Sequence, residues 1–237
     1  AYEATLADYG EALARNPARA ETWLQRALAR LNWGIHDAGR GKDPGEKYAA
    51  AIEDFGQALT LAPGRDDAWM RRGLARVNWA NARAGRGEDP AELYAAGIAD
   101  MGEALARNPG RDESWVKRGI ARANWGVVKI RRGEDPSELY DLALADYAKA
   151  LEVNPARDEA WLKRGLLRIN WAGWRLTQGM DAEEMLAAAI ADLGEALSRN
   201  PTRDEIRLRR AAAHVNRGYM LQTTGRDPGA SYAAAIE

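Results

Sequence analysis

One stretch of this chain recurs at a fixed interval, and that recurrence limits the possible folds more than any other feature. Arg65–Trp79 returns with few changes at Arg111–Trp125 and Arg157–Trp171, and looser copies start at Arg19 and Arg203. Successive copies start 46 residues apart. A constant period of this length is typical of repeat proteins, in which each unit packs on its neighbours along the chain.

The repeat divides the chain into five units, which are residues 2–47, 48–93, 94–139, 140–185 and 186–231. Residues 232–237 open a sixth unit with the same residue, tyrosine, that opens the units at Tyr2, Tyr48, Tyr94 and Tyr140. Because the repeats follow one another without interruption, we predict a single domain over residues 1–237.

Each unit is predicted to form two helices. In the second copy, Asp66 is a plausible N-cap, and Gly87 is predicted to end the helix in the left-handed conformation that glycine adopts readily. Asp89-Pro90 then predicts a new helix, with aspartate as N-cap and proline at the first helical position. This helix is expected to stop at Asn108, because the residue before Pro109 disfavours the helical conformation.

Together these positions resemble the tetratricopeptide repeat (TPR). Trp115, Gly119, Ala143, Tyr147, Ala150 and Pro155 occur in the order of that family's pattern, although the unit is longer than the family's. There are two departures. Arg118 and Arg122 stand where the family has apolar residues, and the recurrent Asn-Trp pair, such as Asn124-Trp125, has no counterpart in the family's pattern. The resemblance implies an all-α, right-handed superhelical solenoid of antiparallel helix hairpins. It also implies that the first helices line a concave side that binds protein segments.

Composition excludes several classes of function. The 237 residues carry a formal net charge of −1, which gives no general reason to expect nucleic acid or a membrane surface as partner. Cysteine is absent, so thiol chemistry and cysteine-ligated metals are excluded. No apolar run reaches the length of about 18 residues that a membrane span requires. The compartment stays open, with the cytoplasm slightly favoured.

Tryptophan recurs in two series, and for both we favour packing between hairpins over exposed stacking platforms. The first series is Trp23, Trp69, Trp115 and Trp161, and the second is Trp33, Trp79, Trp125 and Trp171.

Arginine recurs beside the tryptophans. Arg26, Arg72, Arg118, Arg164 and Arg210 occupy one position in all five units. Arg30, Arg76, Arg122 and Arg168 follow four residues later, with His214 in the last copy. An unpaired buried charge is costly, so we predict that they pair with the recurrent aspartates and stack on tryptophan. These aspartates are Asp8, Asp54, Asp100, Asp146 and Asp192. The alternative is a groove in which the same arginines bind phosphate or carboxylate ligands.

Asparagine recurs at one more position, at Asn32, Asn78, Asn124, Asn170 and Asn216. Asparagine is a poor helix former, so five in register require a reason. One reason is a hydrogen bond between repeats; the other is a row of amides that binds the backbone of an extended peptide. Nearby positions vary between copies, as at Ile35, Asn81, Val127, Gly173 and Tyr219, which suits either a specificity surface or tolerant packing.

The pattern favours a protein-interaction scaffold, with the five asparagines as candidate binding residues and the Arg26 series as secondary candidates. No catalytic, cofactor or metal-binding motif is present, so an enzyme is not expected. Three alternatives remain: a receptor for an anion or small ligand that uses the arginines, a self-stacking structural spacer, and, less favoured, a repeat that binds single-stranded nucleic acid. Head-to-tail self-association of the chain is also predicted.

Overall fold

The chain is described by a computed structural model that covers residues 2–236, and these residues form eleven α-helices and no strand. In each hairpin the first helix carries one copy of the repeated stretch, which has lost its tryptophans in the last copy. These first helices are α2 (Ala20–Ala38), α4 (Asp66–Gly85), α6 (Asp112–Arg131), α8 (Asp158–Thr177) and α10 (Asp204–Thr223). The second helices are α1 (Tyr2–Arg15), α3 (Gly45–Leu61), α5 (Ala91–Arg107), α7 (Ser137–Val153), α9 (Glu183–Arg199) and α11 (Gly229–Ile236). The all-α class and the helix-hairpin repeat are therefore confirmed.

The chain divides into two compact units, Ala1–Ala121 and Arg122–Glu237, with the boundary inside α6. In the first unit, α2 packs on α3 and α4 packs on α5, while α3 and α4 join the two hairpins and α2 also contacts α4. The second unit repeats the arrangement with α8 on α9 and α10 on α11, and α8 contacts α10. Within each unit, neighbouring first helices therefore lie side by side.

Glycine ends each first helix as predicted. Gly87 has φ +77°, and the equivalent Gly41, Gly133, Gly179 and Gly225 all have φ between +72° and +75°. An L-residue with a side chain rarely adopts this conformation, so the glycine fixes where the chain turns towards the second helix.

The predicted N-caps are wrong by one position. Arg65, in extended conformation, precedes the first helical residue Asp66, and no side chain caps this helix. Pro90 occupies the N-cap of α5, since its carbonyl oxygen accepts the first helical hydrogen bond, from the amide of Tyr94 at 3.0 Å. Asp89 still satisfies a free helical amide, because its Oδ1 accepts a hydrogen bond from the N–H of Ala91 at 3.2 Å.

The core of each hairpin is built from small residues of one helix and larger side chains of the other. In the first unit, Leu24, Tyr48 and Phe55 are each at most 2% exposed. Burial raises the pKa of the Tyr48 hydroxyl to about 12. In the second unit, Leu162, Leu193 and Ile206 form an equivalent buried cluster.

One close contact between helix backbones lies between Gly73 of α4 and Gly97 of α5. A Cβ added at Gly73 would lie 2.7 Å from the carbonyl oxygen of Gly97 and 2.9 Å from Cγ of Met101. The two backbones approach this closely only because neither residue has a side chain. Glycine at these two positions therefore serves the hairpin contact.

Candidate functional site

The recurrent asparagines lie towards solvent on the first helices. Asn32, Asn170 and Asn216 are exposed, and Asn78 and Asn124 are half-buried. Among residues 2–236, no protein group hydrogen-bonds to the side chains of Asn32, Asn78, Asn170 or Asn216. A hydrogen bond between repeats is therefore not the reason for asparagine at these four positions.

Each asparagine belongs to a solvent-facing stripe at helical spacing. In α8 the stripe is Lys163, Leu166, Asn170 and Gly173, all half-buried or exposed, whereas the intervening Gly165, Leu167 and Ala172 are buried. The residue three positions after the asparagine varies and can expose apolar surface, as Ile35 at 46% and Tyr219 at 63% do. Along this stripe, the asparagine is constant and the side chain three positions after it varies between repeats.

The predicted arginine–aspartate ladder is present. Arg72 donates from Nε and Nη2 to the two carboxylate oxygens of Asp100, at 2.8 and 2.7 Å, and Arg76 also donates to Asp100. Asp100 is only 3% exposed. A buried carboxylate with two guanidinium partners is compensated in charge and fixes the second helix against the first.

The same contacts occur in both units. Arg26 binds Asp54 at 2.8 and 2.7 Å, Arg164 binds Asp192 at 3.0 and 2.6 Å, and Arg122 binds Asp146 at 2.6 Å. Burial, together with the charge of Arg164, lowers the pKa of Arg168, although the carboxylate of Asp192 opposes this.

The first tryptophan series is held by this ladder. The ring of Trp69 lies under the guanidinium of Arg72, at 4.6 Å from ring centroid to Cζ, and Arg107 lies 4.8 Å from the same ring. Its Nε1 donates to the carbonyl oxygen of Pro63 at 3.0 Å. The equivalent bonds of Trp23, Trp115 and Trp161 are 2.8 to 3.0 Å long. These rings are half-buried and already stacked, so they are not free platforms.

The second tryptophan series packs more deeply or against other rings. Trp171 is 7% exposed and meets Tyr140 edge-on with ring centroids 5.7 Å apart. Trp33 stacks on Tyr2 at 5.7 Å, and Trp79 packs against the core of the first unit. Packing therefore explains this series.

The ladder leaves little capacity for a free anion. The two donor atoms of Arg72 and of Arg164 that face their aspartates are occupied by carboxylate oxygens. A phosphate or carboxylate ligand would have to displace a buried aspartate, which is costly. The geometry therefore argues against the Arg26 series as an anion receptor.

A cavity of about 690 Å³ in the second unit lies between α7, α8 and α9. Most of its charged groups are engaged already: Arg168 with Asp192, Arg175 with the carbonyl oxygen of Asp181, and Glu183 with Arg217. None of the five asparagines lines it. Residues 2–236 also hold no group of three or more potential metal ligands, and none of their helices is long and apolar enough to cross a membrane.

A second recurrent feature was missed by the sequence analysis. Seven residues before four of the asparagines, the solvent-facing stripe carries a basic residue that forms no ion pair with any residue between 2 and 236. We call these four positions the cation row: Arg71, Lys117, Lys163 and Arg209. The recurrence of these basic residues is visible in the sequence. Whether they form ion pairs is not, because it depends on which basic residue pairs with each neighbouring acid.

The hairpins are similar to those of solved structures. Two crystal structures of MamA align with TM-scores of 0.59 and 0.57, at 16% and 18% identity. Each covers 86% of this chain, and the alignments span 85% and 91% of the MamA chains. YrrB, described as a TPR protein with an unusual peptide-binding site, aligns over 96% of this chain and 90% of its own at 18% identity and a TM-score of 0.49.

The two MamA alignments, with TM-scores above 0.5, define the class of fold. This chain has a TPR-like fold of helical repeats. No protein-family model matches the sequence, and no curated protein matches it either.

Proposed function

We propose that this chain is a protein-interaction scaffold that binds an extended segment of a partner protein along the solvent-facing stripes of its first helices. The observation that carries the proposal is the asparagine series, repeated in register and without an internal partner at Asn32, Asn78, Asn170 and Asn216.

The chemistry of the amide supports a peptide ligand. An asparagine side chain offers two donors and an acceptor, which match the alternating C=O and N–H groups of an extended backbone. Such contacts do not depend on the sequence of the partner. The variable residues three positions further on, such as Ile35 and Tyr219, would then contact its side chains and confer selectivity.

Within each unit, two neighbouring first helices form the smallest surface that can bind a segment. α2 and α4 are in contact in the first unit, so Asn32 and Asn78 lie on neighbouring helices. α8 and α10 place Asn170 and Asn216 in the same way in the second unit. Each pair can contact one short segment.

The other functions have less support. Nucleic acid binding would need free aromatic faces or many phosphate contacts, whereas Trp69 and Trp161 already stack on arginines. A small-anion receptor would need the ladder arginines to release their aspartates.

The proposal is tested by selecting peptides from a displayed random library against the full chain and measuring their Kd. We expect Asn32→Ala with Asn78→Ala, or Asn170→Ala with Asn216→Ala, to weaken binding roughly 5- to 100-fold, because each lost backbone hydrogen bond contributes about 0.5–1.5 kcal/mol. Gln57→Ala is the matched control, since it removes an exposed amide from α3, a second helix. Unchanged affinity in both double variants would overturn the proposal.

A further inference from the structure

The cation row forms no close ion pair because other arginines occupy the nearest acids, although the charge of Arg71 still acts on Asp67. Four residues before each of its members lies Asp67, Glu113, Glu159 or Glu205, at the spacing that favours an ion pair within one helix. Instead, the arginine that precedes each first helix takes that acid. Arg65 binds Asp67 at 2.8 Å, Arg111 approaches Glu113 at 3.6 Å, Arg157 binds Glu159 at 2.7 Å, and Arg203 binds Glu205 at 3.0 Å.

The first copy shows the alternative. There Gln25 replaces the cation, and its Nε2 donates to Glu21 Oε1 at 2.7 Å, so the side chain at this position does bond to the acid four residues before it. In the second copy, Arg65 binds both Asp67 and Glu21 across the repeat boundary. The hydrogen bonds from Gln25 and then Arg65 lower the pKa of Glu21. Burial raises the pKa of Asp67, but the hydrogen bonds and charge of Arg65, with a smaller contribution from the charge of Arg71, lower it overall.

We infer that the segment bound by this scaffold is acidic, and that the cation row contacts its carboxylates while the arginines before the first helices keep the row free by holding the neighbouring acids. The inference rests on the proposed function, which supplies the segment, and adds its chemical class. Arg65, Arg111, Arg157 and Arg203 are positioning residues in this account.

The spacing of the row specifies the ligand further. In the second unit, Lys163 and Arg209 lie on α8 and α10, which are in contact, and packed helices lie about 8–10 Å apart. An extended chain advances about 3.3 Å per residue. One acidic residue in three therefore matches one cation per repeat.

The observations favour an acidic peptide over a nucleic acid. Four of the five first helices contribute one cation of the row, beside an amide and, in α4 and α8, an apolar residue such as Leu74 or Leu166. Continuous phosphates need more cations than this, and the chain as a whole carries a net charge of −1.

The first test uses synthetic peptides with glutamate at every third position, the matched glutamine peptide, and a single-stranded oligonucleotide. We expect the full chain to bind the glutamate peptide, to bind the glutamine peptide less tightly, and to lose affinity for the former as salt is raised. Lys163→Gln with Arg209→Gln, or Arg71→Gln with Lys117→Gln, should weaken binding about 2- to 30-fold. Lys42→Gln with Lys149→Gln is the control, because it removes the same charge from exposed positions off the row.

The second test addresses the positioning arginines. Arg65→Ala frees Asp67 to pair with Arg71, so we expect glutamate-peptide binding to weaken about 1.5- to 5-fold where Arg71 is used. The double variant Arg65→Ala with Asp67→Asn lacks the competing acid, so it should bind the glutamate peptide as the wild type does. Its net charge also equals that of the wild type. If Arg65→Ala disrupts folding, Asp67→Asn alone, which leaves Arg65 in place, should keep or strengthen binding; weaker binding would contradict the inference.

The failures of the two proposals can be told apart. Equal binding of glutamate and glutamine peptides, or preference for the oligonucleotide, would overturn the acidic ligand. Library peptides whose binding requires the asparagines but which carry no acidic residues would support the scaffold function and contradict the acidic ligand.

Discussion

At the scale of single residues, we expect the asparagines to lower the stability of the fold while they contribute to binding. Asparagine is less favourable than alanine in a helix by roughly 0.5 kcal/mol, and Asn78 and Asn170 have no protein partner to offset this. We therefore expect Asn78→Ala with Asn170→Ala to raise the free energy of unfolding by about 1 kcal/mol in denaturant titrations while weakening peptide binding. A loss of stability in this variant would mean that the amides have a structural role.

The ladder aspartates should behave in the opposite way. Asp100→Asn removes the charge that Arg72 and Arg76 share, and we expect it to lower the free energy of unfolding by about 2–4 kcal/mol, somewhat less than for fully buried partners because both arginines keep some contact with water. Glu103→Ala is the control, since its ion pair with Arg107 lies at the surface and should contribute less than about 1 kcal/mol. Equal effects in the two variants would contradict the ladder as a stabilising feature.

Recurrence made some residue roles predictable and left others hidden. The pairing of Arg72 with Asp100 could be predicted, because both residues recur and a buried charge requires a partner. The lack of a close ion pair between Arg71 and Asp67 could not, since local spacing predicts that pair. Only the structure shows that Arg65 takes that acid together with Glu21 of the preceding repeat.

At the scale of elements, Gly→Ala substitutions distinguish a glycine that is needed for helix contact from one that only lowers helix propensity. Gly73→Ala places a Cβ 2.7 Å from the carbonyl oxygen of Gly97, so we expect α4 and α5 to separate and the free energy of unfolding to fall by about 1–3 kcal/mol. Gly173→Ala, in a helix with no atom within 4 Å of the added Cβ, should raise it by about 0.5–1 kcal/mol. Thermal melts of the two variants check the opposite signs, and a shared sign would contradict the contact.

Helix type and order could be predicted, whereas the first residue of each helix could not. Periodicity and the glycines at positions such as Gly87 indicated every hairpin. The N-cap prediction was wrong because it rested on residue type, and aspartate before proline is a common N-cap. The backbone conformation instead makes Pro90 the N-cap, and Asp89 accepts a hydrogen bond from the N–H of Ala91.

At the scale of the whole molecule, self-association of this polypeptide stays a prediction. On α10, Leu208 is 72% exposed although it is a large apolar residue. We expect copies of the chain to meet through this surface, so that the mass measured by light scattering rises with concentration and Leu208→Glu abolishes the rise. A constant monomer mass would contradict this.

The central claim is that the solvent-facing stripes of the first helices bind the partner. The most direct measurement follows the side-chain amide resonances of Asn32, Asn78, Asn124, Asn170 and Asn216 by nuclear magnetic resonance while a selected peptide is added. We expect the resonances of the asparagines in at least one unit to shift and saturate with the peptide, while that of Gln57 on α3 stays in place. Binding that moves Gln57 or other second-helix resonances and leaves all five asparagines unchanged would contradict the account.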